Sequence, residues 1–222
     1  MRTVIFDLDG TIADTSHDLI ASANVCFRDM GHGDVLDPAR DFKIAMTGGG
    51  RAMLRLGFDR LGQGKSEDWI EKYYPVLLTA YAENIDKYTT LYPGVASAIE
   101  GVLARGYAVG MCTNKPQVLA DELLSRLGIR GLFGSLVGAD TLAVRKPDPA
   151  PLWLAIDQLG GNREKSVLVG DTPTDRETAR AASVHSLLVT FGPDGQGVSD
   201  LQPDALLHSY GDLSGAVFDL IG

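Results

Sequence analysis

Cysteine is scarce in this sequence, with only Cys26 and Cys112 among 222 residues. Two cysteines are too few for a disulfide framework, and their spacing matches no common metal-binding arrangement. We therefore expect both to be buried, reduced thiols. The four histidines are scattered along the chain and indicate no metal site either.

Long apolar runs are also missing. No segment approaches the roughly 18 consecutive apolar residues that a membrane-spanning helix needs. A β-strand is predicted as early as residues 3–6, which leaves no room for a signal peptide ahead of it. The expectation is a cytoplasmic protein that has no membrane partner.

Basic residues are fewer than acidic ones. Lysine and arginine total 20, aspartate and glutamate total 29, and the formal net charge is −9. The acidic residues form no block, so this charge is spread over the surface. Such a surface repels phosphate backbones, and nucleic acid is not expected as a partner. An anionic substrate would have to be attracted by a local cluster of positive charge.

Apolar periodicity separates a helical segment from an alternating one. Between residues 15 and 85 every predicted element is a helix, with starts near Ser16, at Asp37–Pro38 and at Ser66, and with a loop at Thr47–Arg51. From residue 92 onwards, helices alternate with short strands. These strands are predicted at residues 107–112, 135–138, 167–169 and 186–190.

Strands that alternate with helices of this length indicate right-handed β-α-β units and a parallel sheet. The strand at residues 3–6 must join that sheet, because a lone strand cannot bury its edges. The predicted fold is therefore α/β. We expect a doubly wound parallel-sheet core, residues 1–14 and 86–222, with an inserted α-helical cap domain, residues 15–85.

Polar residues follow four of the predicted strands. In open parallel sheets, ligands bind at the carboxyl ends of the strands. At one edge of the sheet we therefore expect to find four aspartates, a hydroxyl and a cation. The four segments that carry them are Asp7–Thr11, Thr113–Pro116, Arg145–Pro149 and Gly170–Asp175.

These segments resemble, in this order, the four motifs of the haloacid dehalogenase superfamily, and the resemblance covers nearly the whole chain. The segments Phe6–Thr11 and Thr113–Pro116, together with the helical insert, most resemble those of bacterial phosphoglycolate phosphatases. The resemblance implies a Rossmann-like core, a Mg²⁺ cofactor and a small phosphorylated metabolite as substrate. It also implies catalysis through a phosphorylated aspartate.

The chemistry of the residue types agrees with this reading. The Asp7 carboxylate can attack phosphorus to give an acyl phosphate, which splits one difficult displacement into two. Asp7 and Asp171 are natural ligands for the magnesium ion that such an attack needs. The backbone carbonyl of Asp9 is a third metal ligand by resemblance alone. The Asp9 side chain would protonate the leaving oxygen and then accept a proton from the attacking water.

Three further residues are expected to serve the phosphoryl group. Lys146 supplies a positive charge, and Thr113 and the backbone N–H of Asn114 can bind phosphoryl oxygens. Asp175 would orient either Lys146 or metal-bound water. Lys43 and Lys115 are not expected to contribute comparably, because Lys146 alone matches the motif position at a strand end.

Substrate recognition is predicted in the insert, at Gly49, Gly50 and Arg51. Glycines permit a close approach of backbone to a ligand, and a guanidinium can bind a carboxylate through two parallel hydrogen bonds. The alternative interpretation is a flexible turn followed by the first turn of a helix, with Arg51 in solvent.

Other functions are weighed against the phosphatase. A phosphosugar mutase that resembles beta-phosphoglucomutase, or a pyrophosphatase of the same superfamily, would use the same residues. A dehalogenase is disfavoured, because Asp9 would have no role in releasing a halide. From another class, a signalling or binding module could accept phosphate without turnover. A receiver domain, however, has no place for the helical insert. Phosphoglycolate as substrate follows from resemblance alone, and the sequence does not indicate an oligomeric state.

Overall fold

The first strand of the chain, Thr3–Phe6, lies inside the main sheet, and all four of its residues are completely buried. Continuous burial of this kind is typical of a parallel strand that is covered on both faces. The protein is represented by a computed structural model that describes residues 1–62 and 67–222. Ser66, predicted as a helix cap, lies outside the described residues.

The described elements alternate in the way that the sequence predicts for the second part of the chain. In chain order they are β1 (Thr3–Phe6), β2 (Ala13–Asp14), α1 (Ser16–Asp29), α2 (Pro38–Arg60), α3 (Glu67–Glu83), β3 (Thr90–Leu91), α4 (Val95–Ala104), β4 (Ala108–Cys112), α5 (Gln117–Arg126), β5 (Ser135–Val137), α6 (Ala150–Gln158), β6 (Ser166–Gly170), α7 (Pro173–Ala182), β7 (His185–Val189), β8 (Ala205–Leu207) and α8 (Leu213–Ile221). Short 3₁₀ turns precede β5, β6, β8 and α8.

The main sheet has six strands in the order β5-β4-β1-β6-β7-β8, and every neighbouring pair is parallel. The chain goes from β1 to β4 and β5 on one side and then crosses to β6, β7 and β8 on the other. The order therefore reverses at β1, and such a switch point is where a parallel sheet opens a crevice for a ligand. The predicted α/β class with a parallel-sheet core is confirmed.

Two compact units account for the fold. One comprises Met1–Ala13 and Leu91–Gly222, and the other is Asp14–Thr90. The apolar pattern of the sequence predicts residues 15–85 for the second unit. Within its described residues, 14–62 and 67–90, the regular elements are the helices α1, α2 and α3 and one strand residue at each end.

The main sheet buries its apolar residues against the helices of its own unit. Ile5, Leu152, Ile156 and Leu168 share one fully buried cluster, which also includes Cys112. Cys112 and Cys26 are buried free thiols, as expected. Burial raises the pKa of the Cys112 thiol to about 12, so it is not a reactive thiolate at neutral pH.

The helical unit corrects one expectation from the sequence. Thr47–Arg51 is not a loop, because helix α2 runs from Pro38 to Arg60 and includes it. A local break occurs at Gly49, whose φ of 69° is left-handed. The glycines thus mark a kink between two helical stretches rather than a connecting loop.

An ion pair fixes the beginning of α2 to its end. Asp37 caps the helix through a hydrogen bond from the Ala39 N–H, and its own N–H donates to the Asp41 carboxylate. The two oxygens of Asp41 accept from the Arg60 guanidinium at 2.5 and 2.6 Å. The Asp41 side chain is only 3% exposed. Hydrogen bonds from Arg60 outweigh burial and hold the pKa of Asp41 below its ordinary value.

Four short elements were absent from the sequence analysis. Strand β8 and helix α8 complete the C-terminal end of the core, while β2 and β3 form a separate two-stranded sheet. The strands β2, β3 and β8 have only two or three residues, too few for a periodic signal. Helix α8 was missed although Leu213, Val217 and Ile221 recur at helical spacing. Among the described residues, no helix combines the length and the apolar character that crossing a membrane requires.

The Asp41–Arg60 pair leads to a stability prediction. Replacing Asp41 by Asn leaves Arg60 without its counter-ion, which should lower the free energy of unfolding by about 2–3 kcal/mol at pH 7. Asp59→Asn, an exposed change on the same helix, is the control. Urea unfolding followed by Trp69 fluorescence, in a Trp153→Phe background, measures the helical unit.

The same pair fixes the pH dependence of that difference. The folded pKa of Asp41 lies below the unfolded value, so its stabilisation is complete above about pH 4 and decreases as the pH falls towards the folded pKa. The gap between wild type and Asp41→Asn should therefore narrow on acidification below pH 4. A gap that is constant down to pH 2, or one no larger than for Asp59→Asn, would contradict this account.

Candidate functional site

The predicted site residues lie at the carboxyl ends of three adjacent strands. Asp7 follows β1, Thr113 follows β4 and Asp171 follows β6. Because β1 lies between β4 and β6, these three side chains begin from neighbouring positions at the edge where the strand order reverses.

Lys146 joins two of the aspartates. Its ammonium lies 2.6 Å from Asp175 Oδ1 and 3.1 Å from Asp7 Oδ1, and its side chain is 2% exposed. Burial alone would lower the pKa of Lys146, but the charges of Asp175 and Asp7 outweigh it and raise the pKa above its ordinary value. Lys146 is therefore a fixed positive charge at any pH relevant to catalysis.

Asp175 is held by the first turn of α7. Its Oδ2 accepts hydrogen bonds from the N–H groups of Asp171 and Thr172 and from the Thr172 hydroxyl, at 3.3, 3.2 and 2.6 Å. Thr172 and Asp175 form a reciprocal capping box at the start of the helix. With both oxygens occupied by the protein, Asp175 positions Lys146 and the β6–α7 turn.

Asp171 offers an oxygen that the protein does not use. Its Oδ1 accepts from the Thr11 hydroxyl at 2.7 Å, while the buried Oδ2 has no hydrogen-bond partner. Gly10 makes this placement possible. Its φ is +81°, and a Cβ built there would lie 2.8 Å from Asp171 Cγ and closer still to Oδ2. Only glycine fits both the conformation and the space.

Burial and mutual repulsion raise the pKa values of two carboxyl groups in the site. Burial raises the pKa of Asp7 to about 6, with the Lys146 charge opposing it and Asp175 and Asp9 adding to it. Burial, followed by the charges of Asp175 and Asp7, raises the pKa of Asp171 well above its ordinary value. Both carboxylates would ionise at neutral pH more readily if a further positive charge were bound beside them.

The donor set fits a divalent cation. Carboxylate oxygens of Asp7, Asp171 and Asp175 lie within 4.8 Å of one another. Asp7 and Asp171 are the two that could serve as ligands, because both oxygens of Asp175 already accept hydrogen bonds from the protein. Four carboxylates, including Asp9, face the two ammonium groups of Lys115 and Lys146, which leaves a formal charge of −2. The unsatisfied Oδ2 of Asp171 and an all-oxygen donor set suit a hard divalent ion.

Lys115 occupies a place that the sequence analysis did not expect. Its ammonium lies 2.8 and 3.0 Å from the two carboxylate oxygens of Asp9. The Lys115 side chain is 3% exposed and that of Asp9 is 18% exposed. Lys115 is thus part of the site, although the sequence-based prediction gave it a smaller contribution than Lys146. Its sequence position, two residues beyond Thr113 at a strand end, was the available signal.

Thr113 and Asn114 shape the loop after β4. Thr113 is buried, its N–H donates to the Val137 carbonyl, and its hydroxyl accepts from the Lys115 N–H at 3.2 Å. The Asn114 side-chain amide donates to the Lys146 carbonyl at 3.0 Å. This last bond ties the β4 loop to the segment that carries Lys146.

Arg51, Gly49 and Gly50 lie in the helical unit. The Arg51 guanidinium donates from Nε and Nη2 to the two oxygens of Glu71, at 2.6 and 2.9 Å. It also lies 3.6 Å above the Tyr74 ring. Arg51 therefore already binds a carboxylate of its own chain, and the sequence-based role as a substrate ligand stays a prediction.

One further residue, Tyr210, supports the site from outside the four motif segments. Tyr210 is buried and donates its hydroxyl hydrogen bond to the Thr11 carbonyl at 2.6 Å. The Thr11 hydroxyl in turn orients Asp171. The 199 residues between Tyr210 and Thr11 explain why no local pattern could indicate this contact.

Comparison with known proteins identifies relatives over the whole chain. Residues 4–189 match the model of a family described as haloacid dehalogenase-like hydrolase. A phosphoglycolate phosphatase from Agrobacterium fabrum is 33% identical over 215 residues, which cover 97% of this chain and 91% of the relative. One from Rhodospirillum rubrum is 34% identical and covers 96% and 89%.

Solved structures show the same fold. The crystal structure of a predicted phosphoglycolate phosphatase from Haemophilus somnus matches with a TM-score of 0.86 at 24% identity, covering 97% of both chains. A haloacid dehalogenase-like family hydrolase from Streptococcus pneumoniae matches with a TM-score of 0.81 at 21% identity, covering 97% and 98%. At these identities the comparison concerns the fold.

The close approach of Gly10 to Asp171 leads to a prediction about cation binding. Gly10→Ala should displace the Asp171 carboxylate and weaken Mg²⁺ binding by at least about 10-fold, the usual cost of disturbing a ligand's support. Gly106→Ala is the matched control, because Gly106 has the same φ of +81° but nothing within 4 Å. Titration calorimetry with Mg²⁺ compares the two. Equal losses in both variants would attribute the effect to backbone strain.

Proposed function

Because this chain belongs to the haloacid dehalogenase-like hydrolase family, we propose that it is a magnesium-dependent phosphatase that hydrolyses phosphoglycolate through a phosphorylated Asp7. The observation that carries the proposal is the position of Asp7. Its carboxylate follows the central strand β1 and meets both the Lys146 ammonium and the Asp171 carboxylate. The relatives named phosphoglycolate phosphatase support the choice of substrate.

In the first step an oxygen of Asp7 attacks phosphorus, and the bond between phosphorus and the leaving oxygen breaks. Asp9 gives its proton to that oxygen, which becomes the hydroxyl group of the departing glycolate. In the second step a water molecule attacks the aspartyl phosphate and gives a proton to Asp9. Inorganic phosphate is released, and Asp7 and the protonated Asp9 are both regenerated.

Lys146, Thr113 and Asn114 would hold the phosphoryl group. The Lys146 ammonium is already placed beside Asp7 by Asp175, so this side chain does not have to be ordered when the substrate binds. The Thr113 hydroxyl and the Asn114 N–H belong to the loop that the Asn114–Lys146 hydrogen bond fixes. Prior fixation of this kind lowers the entropic cost of reaching the transition state.

Asp7, Asp171 and the Asp9 backbone carbonyl would hold the magnesium ion. Bound there, the ion supplies positive charge that offsets the repulsion between the phosphoryl group and the attacking carboxylate. Asp7 must be ionised to attack, and because burial raises its pKa to about 6, an added positive charge would favour the ionised form. Thr11 would keep the second oxygen of Asp171 directed away from the ion.

Metal dependence is the first test. Release of phosphate from phosphoglycolate should stop in excess chelator and return with Mg²⁺. Asp171→Asn should raise the Mg²⁺ concentration for half-maximal rate by more than about 10-fold, because a neutral amide replaces a charged ligand. Asp212→Asn, an exposed change, is the control. Undiminished turnover in chelator would contradict the proposed mechanism.

The second test separates the two aspartates of the first motif. Asp7→Asn should abolish the acid-stable phosphoenzyme, since an amide is a poor nucleophile. Asp9→Asn should lower turnover of phosphoglycolate by about 10²–10⁴-fold, the usual contribution of an acid–base group. The loss should be smaller for an aryl phosphate, whose leaving oxygen needs no proton.

Rapid acid quench with labelled substrate measures the phosphoenzyme, and steady-state rates on both substrates measure the acid. If Asp9→Asn damaged the two substrates equally, Asp9 would not be the acid. If Asp7→Asn still formed a phosphoenzyme, another residue would be the nucleophile.

A further inference from the structure

A second lysine of the site is buried against the proposed acid rather than against the nucleophile. The Lys115 ammonium contacts both oxygens of Asp9, and its side chain is 3% exposed. Burying an ammonium costs several kcal/mol unless its charge is matched. When Asp9 carries the proton that the proposed first step requires, it no longer matches the charge of Lys115, so a negative group of the substrate is expected beside this lysine.

The backbone of Lys115 is fixed on both sides. Its N–H donates to the Thr113 hydroxyl, and its carbonyl accepts from the Ala139 N–H at 2.9 Å. The ammonium is consequently presented from an ordered turn, in contrast to a surface lysine with a free stem. The position of this ammonium is therefore set by the fold.

The proposed chemistry places a substrate carboxylate close to this ammonium. Asp9 must reach the leaving oxygen to protonate it. In phosphoglycolate the carboxylate carbon is two covalent bonds from that oxygen, on the leaving-group side. A group that is within hydrogen-bond distance of Asp9, as Lys115 is, therefore lies next to the path of the substrate carboxylate.

The other two cations with predicted roles, Lys146 and Arg51, already bind other carboxylates. Lys146 binds Asp7 and Asp175, on the phosphoryl side of the site. Arg51 is paired with Glu71 through two hydrogen bonds and stacks on Tyr74. Lys115 faces the leaving-group side, and its partner Asp9 is the most exposed of the four site acids.

We propose that Lys115 recognises the carboxylate of the substrate and makes the enzyme selective for phosphate monoesters that carry a second anionic group on the leaving side. This inference rests on the proposed function, in particular on Asp9 as the acid. An ammonium has three N–H donors, so Lys115 can bind the substrate carboxylate while keeping a hydrogen bond to Asp9. Selectivity and acid placement then depend on the same side chain.

A matched pair of substrates tests the proposal. Phosphoglycolate and 2-hydroxyethyl phosphate have closely similar size but differ in the carboxylate, which the second compound replaces with an alcohol. The quantity to measure is the ratio of kcat/KM for the first compound to that for the second. Wild type should prefer phosphoglycolate, and Lys115→Met should lower the ratio by about 10–100-fold, which is the usual cost of losing a hydrogen bond to a charged group.

Lys165→Met is the control, because Lys165 is an exposed lysine of the same unit, and it should leave the ratio unchanged. Lys115→Arg keeps the charge and should retain more of the ratio than Lys115→Met. Thermal melting and circular dichroism show whether each variant is folded. Should Lys115→Met not fold, Lys115→Gln and Lys115→Arg give the same comparison.

The outcomes are distinct. An equal fall in kcat for both substrates, with the ratio preserved, would show that Lys115 acts only by positioning Asp9, and would overturn carboxylate recognition. A wild type without preference for phosphoglycolate would also overturn it, while metal-dependent turnover through Asp7 would leave the phosphatase proposal intact. Absence of a phosphoenzyme on Asp7 in wild type would instead refute the proposed function itself.

Discussion

The ion pairs of Lys146 are the interaction on which the site depends. One buried ammonium lies between the carboxylates of Asp7 and Asp175, which arrive from the end of β1 and from the first turn of α7. Without this charge, two buried acids would face each other in a medium that screens repulsion poorly. Removing one partner of such a group typically costs more than the group contributes to stability, because the remaining charges stay buried.

This constraint accounts for the small and hydroxyl-bearing residues around the acids. Gly10 has no Cβ because Asp171 occupies that space, and Gly170 has none because a Cβ would lie 2.4 Å from Asp175 Cβ. Thr11 and Thr172 each donate a hydroxyl hydrogen bond to a site carboxylate. These glycines allow several carboxylates to pack closely, and the threonines donate hydrogen bonds to carboxylate oxygens. Asp171 Oδ2 accepts no hydrogen bond and would be available to a cation.

The two buried lysines divide the site into two sides. Lys146 contacts Asp7 and Asp175, whereas Lys115 contacts Asp9. If Asp7 is the nucleophile and Asp9 the acid, as we propose, Lys146 serves the phosphoryl group and Lys115 serves the leaving group. On this proposal, Lys115 both contacts the acid and binds the part of the substrate that differs between phosphate esters.

The sequence by itself determined the alternation of strands and helices, the limits of β4 to β7 to within one residue, and the strand-end positions of Asp7, Thr113 and Asp171. These features follow from local periodicity and from the rule that parallel strands present their carboxyl ends together. The short elements β8 and α8 and the helical state of Thr47–Arg51 were not determined in this way, because tertiary packing outweighs weak local signals. Only the tertiary structure decided which cation meets which acid. Lys115 and Asp9 are 106 residues apart, and Arg51 and Glu71 are 20 apart, so each pairing depends on how the chain is folded and not on spacing.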